Sequence, residues 1–372
     1  MAPPDGNTRQ AILQLIRENP FVSQKDLALR LNISRSAVAA HISALIREGE
    51  IVGRAYVLPE RRPVLCIGGA NIDRKIQTMA PIQYGTSNPA FVSESHGGVA
   101  RNIAENLARL GVLPVLVTMV GHDQEGESLL ERARQAGVDV SHAIRLGSGR
   151  TGTYTAVLDA DGSLAVALAD MAIYDEFSVQ LLAPRLRLMR QSELTVLDTN
   201  LPAESLAHVI AEAASTGTHL LVVPVSVPKA MRLPQSLEGV WALIANRDEV
   251  AALSGVAVAG PEGLRQACAA LRKRGCRVVV VTLGQDGVAW VDASGRFGEM
   301  PAEPVQVVDV TGAGDAFVAG FAFGMVHKLG VQQACRFAAR LAQRTLLTQE
   351  TVCPEITSRL AHTWLTEILS VD

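Results

Sequence analysis

Cysteine is sparse in this sequence and shows no organisation. The five residues Cys66, Cys268, Cys276, Cys335 and Cys353 are odd in number, scattered, and without the spacing of a metal-ligating cluster. That pattern excludes a disulfide-built scaffold and suits a reducing cytoplasm. Long uncharged apolar runs are also missing, so no membrane span is expected. Met-Ala-Pro-Pro-Asp-Gly at the start has neither the basic nor the apolar region of a signal peptide, and the expected location is cytoplasmic. There is no internal repeat and no low-complexity segment.

What is present is apolar material for a large core, 48% of 372 residues, a length that predicts two domains or one large domain with an extension. The net charge of −3 conceals an asymmetry. Residues 1–62 carry nine Lys and Arg against six Asp and Glu, whereas the remainder carries 25 against 31. A basic head on an acidic body points to nucleic acid as partner of the head and not of the body.

Within the head, Ala11, Ile12, Leu15 and Ile16 recur at helical spacing up to Asn19-Pro20. Ser23 is placed to cap a second helix carrying Leu27, Leu29 and Leu31. Ser34 is placed to cap a third, carrying Val38, Ile42, Leu45 and Ile46, which Gly49 stops. Ile51-Val-Gly53-Arg-Ala-Tyr-Val57 reads as two short strands about a glycine turn. Over residues 1–60 this order resembles a winged helix-turn-helix domain, whose third helix would enter the major groove by its N-terminal end. Ser34, Arg35, Ser36 and His41 would then face double-stranded DNA, with Arg54 on the wing reaching a phosphate or the minor groove. Arg35 is the one suited to a guanine edge. A small helical module for self-association is the other reading of the same residues.

The body is organised around Val307-Val-Asp309-Val-Thr311-Gly-Ala-Gly-Asp315-Ala-Phe317. An extended apolar run ends at Thr311, a plausible N-cap, and a small-residue helical pattern runs from Ala316 to His327. Gly312, Ala313 and Gly314 leave first-turn amides uncovered, which together with the helix dipole make a pocket for an anion. Asp315 at its mouth would repel a phosphate unless it takes a proton from a hydroxyl attacking that phosphate. The chemistry suggested is phosphoryl transfer to an alcohol, with Asp315 as base. By itself, Gly-x-Gly-Asp is equally an ordinary glycine-rich turn capping a helix. Upstream, Val64–Ile67 is a short apolar strand followed by Gly68-Gly-Ala-Asn71-Ile-Asp73, polar groups at a strand end where α/β sheets bind ligands, or simply turn formers. Val115–Val120 reads as one buried strand, and Asp161-Gly162 as a hairpin between strands over 151–158 and 164–169. From residue 194 strands and helices alternate as in a parallel sheet.

Asp309-Val-Thr-Gly-Ala-Gly-Asp315 resembles the C-terminal signature of the ribokinase-type (phosphofructokinase-B) family of sugar and nucleoside kinases, and Gly97-Gly-Val-Ala-Arg-Asn102 fits its N-terminal one. The fold this implies is a ribokinase-like three-layer α/β/α domain over 63–372 with a small β lid (about 76–95 and 151–169), preceded by the all-α winged helix-turn-helix. The resemblance implies ATP and Mg2+ as cofactors, with Asp315, Gly312, Ala313 and Gly314 catalytic. It implies Asn71, Asp73, Gly97, Gly98, Asn102 and Asp315 as the substrate side, and Asn246, Thr282, Gly284, Gly287, Gly312 and Gly314 as the nucleotide side. Asn246 and Glu249 match an element that helps place Mg2+, usually through water, and Asn246 also suits a helix N-cap. Asp309 matches a residue that, with loop carbonyls, binds a monovalent cation in many relatives, which adds K+ to the implied cofactors. Val223 departs from the pattern, since many relatives have Asp or Asn there. Ser87-Asn-Pro89, the 97–111 segment and Asp198-Thr-Asn200 look most like the pseudouridine kinases. That implies ATP-dependent phosphorylation of the 5′-hydroxyl of pseudouridine. Another ribosyl substrate, or a transcription regulator that uses the kinase fold as a sensor, are the alternatives. A homodimer is expected, both from the paired lids of many relatives and from the two copies a winged helix-turn-helix usually needs.

Overall fold

In the computed structural model of the chain, which describes residues 5–52 and 62–370, the head contains helices α1 (Asp5–Glu18), α2 (Gln24–Leu31) and α3 (Arg35–Arg47). Two serines set the starts of α2 and α3. Ser23 Oγ accepts from the Asp26 amide at 3.1 Å and Ser34 Oγ from the Ala37 amide at 3.0 Å, each satisfying a donor that the first helical turn leaves open. Asn32 turns the chain between them in the left-handed region (φ 51°), which asparagine enters more readily than most residues. The apolar stripes meet in one cluster that buries Ile12, Ile16, Leu27, Val38, Ile42, Leu45 and Ile51. Each such side chain contributes about 1.5–3 kcal/mol, so packing rather than propensity holds these short helices. Leu29 and Ile46, assigned to the same stripes by spacing, are exposed instead. The predicted wing is not tested: Ile51 and Val52 lie in no strand, and residues 53–61, Arg54 among them, are outside the described residues.

The chain divides between Arg62 and Pro63, and the second unit carries the strands. In chain order they are β1 (Val64–Ile67), β2 (Asn71–Thr78), β3 (Ala90–Gly97), β4 (Pro114–Val117), β5 (Met119–Gly121), β6 (Ile144–Leu146), β7 (Thr153–Leu158), β8 (Leu164–Asp170), β9 (Leu194–Asp198), β10 (Leu220–Val223), β11 (Val240–Asn246), β12 (Val278–Thr282), β13 (Val288–Val291) and β14 (Phe297–Met300). Eight form one sheet in the order β14-β13-β12-β11-β10-β9-β1-β4. From β4 to β12 the neighbours are parallel, as strand–helix alternation predicts. β13 and β14 are antiparallel, because the turn from Thr282 to Val288 is too short for a crossover helix. Alternate residues of β1 enter different cores: Val64 and Cys66 pack with Phe321 and Phe337, Leu65 and Ile67 with Leu206 and Leu271. Both faces of the sheet are therefore covered, giving three layers.

A second sheet has the order β3-β2-β7-β8 and contains the strands expected to form a lid. Its first strand begins at Asn71 rather than near residue 76, so Asn71 and Asp73 belong to the lid and not to a turn after β1. The Asp161-Gly162 hairpin joins β7 to β8 as expected, with Gly162 at φ 85°. The predicted strand Val115–Val120 is interrupted at Thr118: β4 stays in the main sheet, while β5 leaves it to pair with β6. The C-terminal ends of the parallel strands carry Asp198, Val223, Asn246 and Thr282 along one edge, where open α/β sheets bind ligands.

Candidate active site

Helix Ala313–Val326 starts one residue later than a Thr311 cap would place it, because its N-cap is Gly312. Gly312 has φ 80°, and a Cβ there would lie 2.0 Å from the Thr351 carbonyl oxygen, so no other residue fits without moving backbone. Thr311 turns its hydroxyl to Asp309 instead, donating to Oδ1 at 2.6 Å, with its amide on the same oxygen at 2.8 Å. The amides of Gly314 and Asp315 have no acceptor among the described residues. No atom lies within 4 Å of where a Gly314 side chain would begin, so the space over these amides is open. A positive helix end with free donors and room beside it is an anion site. The helix is held rigidly: Gly320 lets it approach until a Cβ would be 2.7 Å from the Ala338 Cα on the neighbouring helix.

Asp315 is half-buried in this first turn, and Asn102 Nδ2 donates to its Oδ2 at 2.7 Å. The Asn102 amide is oriented from behind, since its Oδ1 accepts from the Arg101 guanidinium. Arg101 is itself fully buried and has partners on every side. It donates to the Gly97 carbonyl at 3.0 Å, the His96 carbonyl at 2.6 Å and Glu105 at 2.6 Å, and Glu105 is shared with Arg109 at 3.0 Å. A buried guanidinium is tolerated only with such pairing. Burial pushes the Asp315 carboxyl up to about 7; the nearby Asp198 charge adds to this and the Asn102 bond opposes it. A carboxyl balanced near neutrality is suited to accepting a proton.

Around Asp315 the residues of the two glycine-rich turns converge. Gly98 has φ 97°, and a Cβ on it would lie 2.4 Å from the Ala70 Cα, so two backbones touch here. Asp198 at the end of β9 fastens them, accepting from the Gly69 amide at 2.7 Å and the Ala100 amide at 3.1 Å. Asn71 Nδ2 donates to Asp73 Oδ1 at 2.6 Å, and the Asp73 carboxylate lies over Gly97, 2.1 Å from where a side chain would start. Burial raises the Asp73 carboxyl above its ordinary range, with Asn71 and Arg101 opposing.

The residues expected on the nucleotide side form a second group. Asn246 and Thr282 are register partners at the ends of β11 and β12, and Gly284 and Gly287 shape the turn that follows, both at positive φ. Asn246 and Glu249 close a capping box: Asn246 Oδ1 accepts from the Glu249 amide and Glu249 Oε2 from the Asn246 amide, each at 2.9 Å. With those oxygens spent on the helix, the pair fits Mg2+ through intervening water better than by direct ligation. Among the described residues no group of three His, Cys, Asp or Glu side chains could hold a metal alone. Asp309 is occupied differently from expectation: Lys75 Nζ donates to its Oδ2 at 2.8 Å. Partial burial works to raise the Asp309 carboxyl, but Lys75 and Thr311 bring it down to about 2.

Residues 61–357 match the pfkB family carbohydrate kinase profile, and residues 7–52 match that of a winged helix-turn-helix DNA-binding domain. The chain belongs to the pfkB carbohydrate kinase family. It is 35% identical to the uncharacterized sugar kinase YeiI of Escherichia coli K12, over 90% of this chain and 92% of that protein. It is 34% identical to the pseudouridine kinase of the same organism, over 80% of this chain and 94% of the relative. The ribokinase of Arabidopsis thaliana solved with ribose and ATP superposes with a TM-score of 0.72 at 23% identity, covering 82% of this chain and 99% of that one, which establishes the ribokinase-like fold.

Three residues that hold the site received no role from the sequence: Arg101 and Asp198, although each lies inside a motif, and Lys75, which lies in none. Arg101 had a local signal, as a charge set among Ala100, Ile103 and Ala104 in a helix that is otherwise buried. The Asp315 carboxyl also makes stability depend on pH in a defined direction. Its folded value of about 7 lies above the ordinary 3.8, so the folded state keeps a proton between those values that the unfolded chain has released. The resulting stability is present at low pH and lost as pH rises through about 7. Asp315→Asn is therefore expected to melt above the wild type at pH 8, by on the order of 1–3 kcal/mol. The difference should shrink as pH falls toward the ordinary carboxylate value. Equal melting curves at pH 8 would contradict the raised ionisation of this carboxyl.

Proposed function

We propose that the chain is an ATP-dependent kinase that phosphorylates the 5′-hydroxyl of pseudouridine, with Asp315 as general base and the Gly312–Asp315 backbone as anion hole. The observation that carries this reading is the Asn102-held carboxylate of Asp315, raised to about 7, at the start of a helix whose Gly314 and Asp315 amides have no acceptor among the described residues. A carboxylate there accepts the proton of an attacking hydroxyl, while the amides stabilise charge that develops on the transferred phosphoryl group. Asn71, Asp73, Gly97, Gly98, Asn102 and Asp315 form the sugar side, where two carboxylates and two amides can pair with ribose hydroxyls. Asn246, Thr282, Gly284 and Gly287 would hold ATP, with Asn246 and Glu249 meeting Mg2+ through water. Magnesium, when bound with ATP, neutralises phosphate charge and orients the transferred group. The similarity to the Escherichia coli pseudouridine kinase supports the choice of substrate; ribose or an ordinary nucleoside would use the same base and anion hole. Val223 is buried at the end of β10 and offers no polar group to the phosphates, so any contact its counterpart makes elsewhere is absent here. Apolar side chains that the lid leaves exposed, Phe91, Leu164, Val166 and Leu168, support a homodimer through the lids.

Asp315→Asn should lower turnover by roughly 10²–10⁴-fold while changing ATP affinity little. The wild-type rate should climb with pH and level off above about 7, as the base ionises. A variant that keeps a near-normal rate, or a rate that falls as pH rises toward 7, would overturn the base assignment.

The head supports a second activity, binding of double-stranded DNA. Ser34, Arg35 and Ser36 are exposed at the start of α3, where a recognition helix meets the major groove. His41 is half-buried one turn further on and offers less of its ring. In the full-length protein, Arg35→Ala should weaken duplex binding and reduce the dependence of log affinity on log salt by about one. An unchanged affinity and salt slope would remove Arg35 from the interface.

A further inference from the structure

Lys75 and Asp73 are two apart on β2 and therefore share one face of the lid strand. Asp73 faces the Gly97 turn on the substrate side, and Lys75, one pleat further along, reaches Asp309 across 234 residues of chain at 2.8 Å. Asp309 stands in the loop that leads directly into Gly312. Its Oδ1 holds both the hydroxyl and the amide of Thr311, the residue before the N-cap, and its Oδ2 holds the lid ammonium. Both carboxylate oxygens are thereby in use. A free monovalent cation at this position would sit beside the Lys75 ammonium already on Oδ2, and the two like charges would repel. The residues present do not fit a free K+ at Asp309 while the lid is in this position. An alkylammonium head carries the same charge, donates hydrogen bonds where a metal ion would accept ligands, and is supplied by the chain itself.

We propose that the Lys75 ammonium is the built-in counter-cation of the Asp309 loop, a positioning residue that the lid carries to the anion hole, so that the enzyme needs no added K+. Closing the lid over substrate then does two things through one strand: it brings Asp73 to the sugar side and fixes, through Asp309 and Thr311, the turn that presents the free amides of Gly314 and Asp315. Its catalytic consequence rests on the kinase reading; the cation preference does not.

The test uses the full-length wild type, Lys75→Met and Lys75→Arg in buffers whose only monovalent cation is tetramethylammonium, then with K+ exchanged in at constant ionic strength. Two properties are read: the thermal unfolding midpoint and the rate of ADP formation with Mg2+-ATP. The wild type should show neither a K+-specific rise in midpoint nor more than about a twofold change in rate, whereas Lys75→Met should lose roughly tenfold in rate without K+. Adding K+ should return most of that rate and raise the midpoint of Lys75→Met alone. Lys75→Arg should retain more of the rate than Lys75→Met in the absence of K+. A wild type that depends on K+ would overturn the proposal, as would a Lys75→Met protein that is unimpaired, or impaired and unresponsive to K+ in both readouts. The last result would make Lys75 a phosphate ligand or a plain structural tie. Should Lys75→Met fail to fold, Asp309→Asn replaces it: it should be slowed to a similar degree and stay slow with K+, and a normal rate would overturn the proposal. A wild type that turns over no substrate would sink the kinase reading alone, since the midpoints still decide the cation question.

Discussion

The hydrogen bond from Asn102 to Asp315 joins two turns that lie far apart in the sequence, and the geometry of the candidate site depends on it. On one side it rests on Arg101, whose buried guanidinium is fixed by two backbone carbonyls and Glu105. On the other it ends at a carboxylate held in the first turn of a helix that glycine and alanine allow to pack deeply between its neighbours. Such a network is stable only when every member has a partner, so loss of any one link would misplace the carboxylate as well as destabilise the core. The protein carries a half-buried acid at the point where its chemistry is expected, and its neutral form is the one that folding favours.

The Asp309–Phe317 stretch was legible because its physics is local. Glycines that need positive φ, a helix start without a side-chain cap and an acidic first turn are all visible within a few residues. The parallel sheet was legible in the alternation of apolar strands and helices, while its three-layer arrangement came with the family resemblance. The helix start was misjudged by one residue, since a threonine before glycine looks like a cap until Asp309 is seen to claim its hydroxyl. The lid boundary was misjudged for a similar reason. Asn71 and Asp73 resemble turn formers in sequence, and only pairing with β3 and β7 draws them into a strand. Lys75 was illegible, because nothing near it in the chain identifies Asp309 as its partner.

The two units have different chemical characters. The first 62 residues are basic and present polar side chains at the start of α3, whereas the remainder is acidic and gathers its polar groups at one edge of a sheet. A head that attracts phosphate backbones on a body that repels them leaves each unit its own ligand, which is the arrangement expected where a small-molecule enzyme and a DNA-binding module share a chain. The intact pair of Asn102 and Asp315 weighs against a body that only senses its ligand, because a sensor gains nothing from a carboxyl raised to about 7.

In the proposed reaction this site transfers phosphate to a ribosyl hydroxyl, with pseudouridine preferred. The most direct measurement is ADP formation by the full-length protein with Mg2+-ATP and, in turn, pseudouridine, uridine, other nucleosides, ribose and fructose, compared as kcat/KM. The account predicts turnover, with the highest value for pseudouridine and phosphate on its 5′-oxygen. A higher value for another member would contradict the substrate, and no turnover with any of them, alongside ligand-dependent DNA binding, would contradict the enzyme.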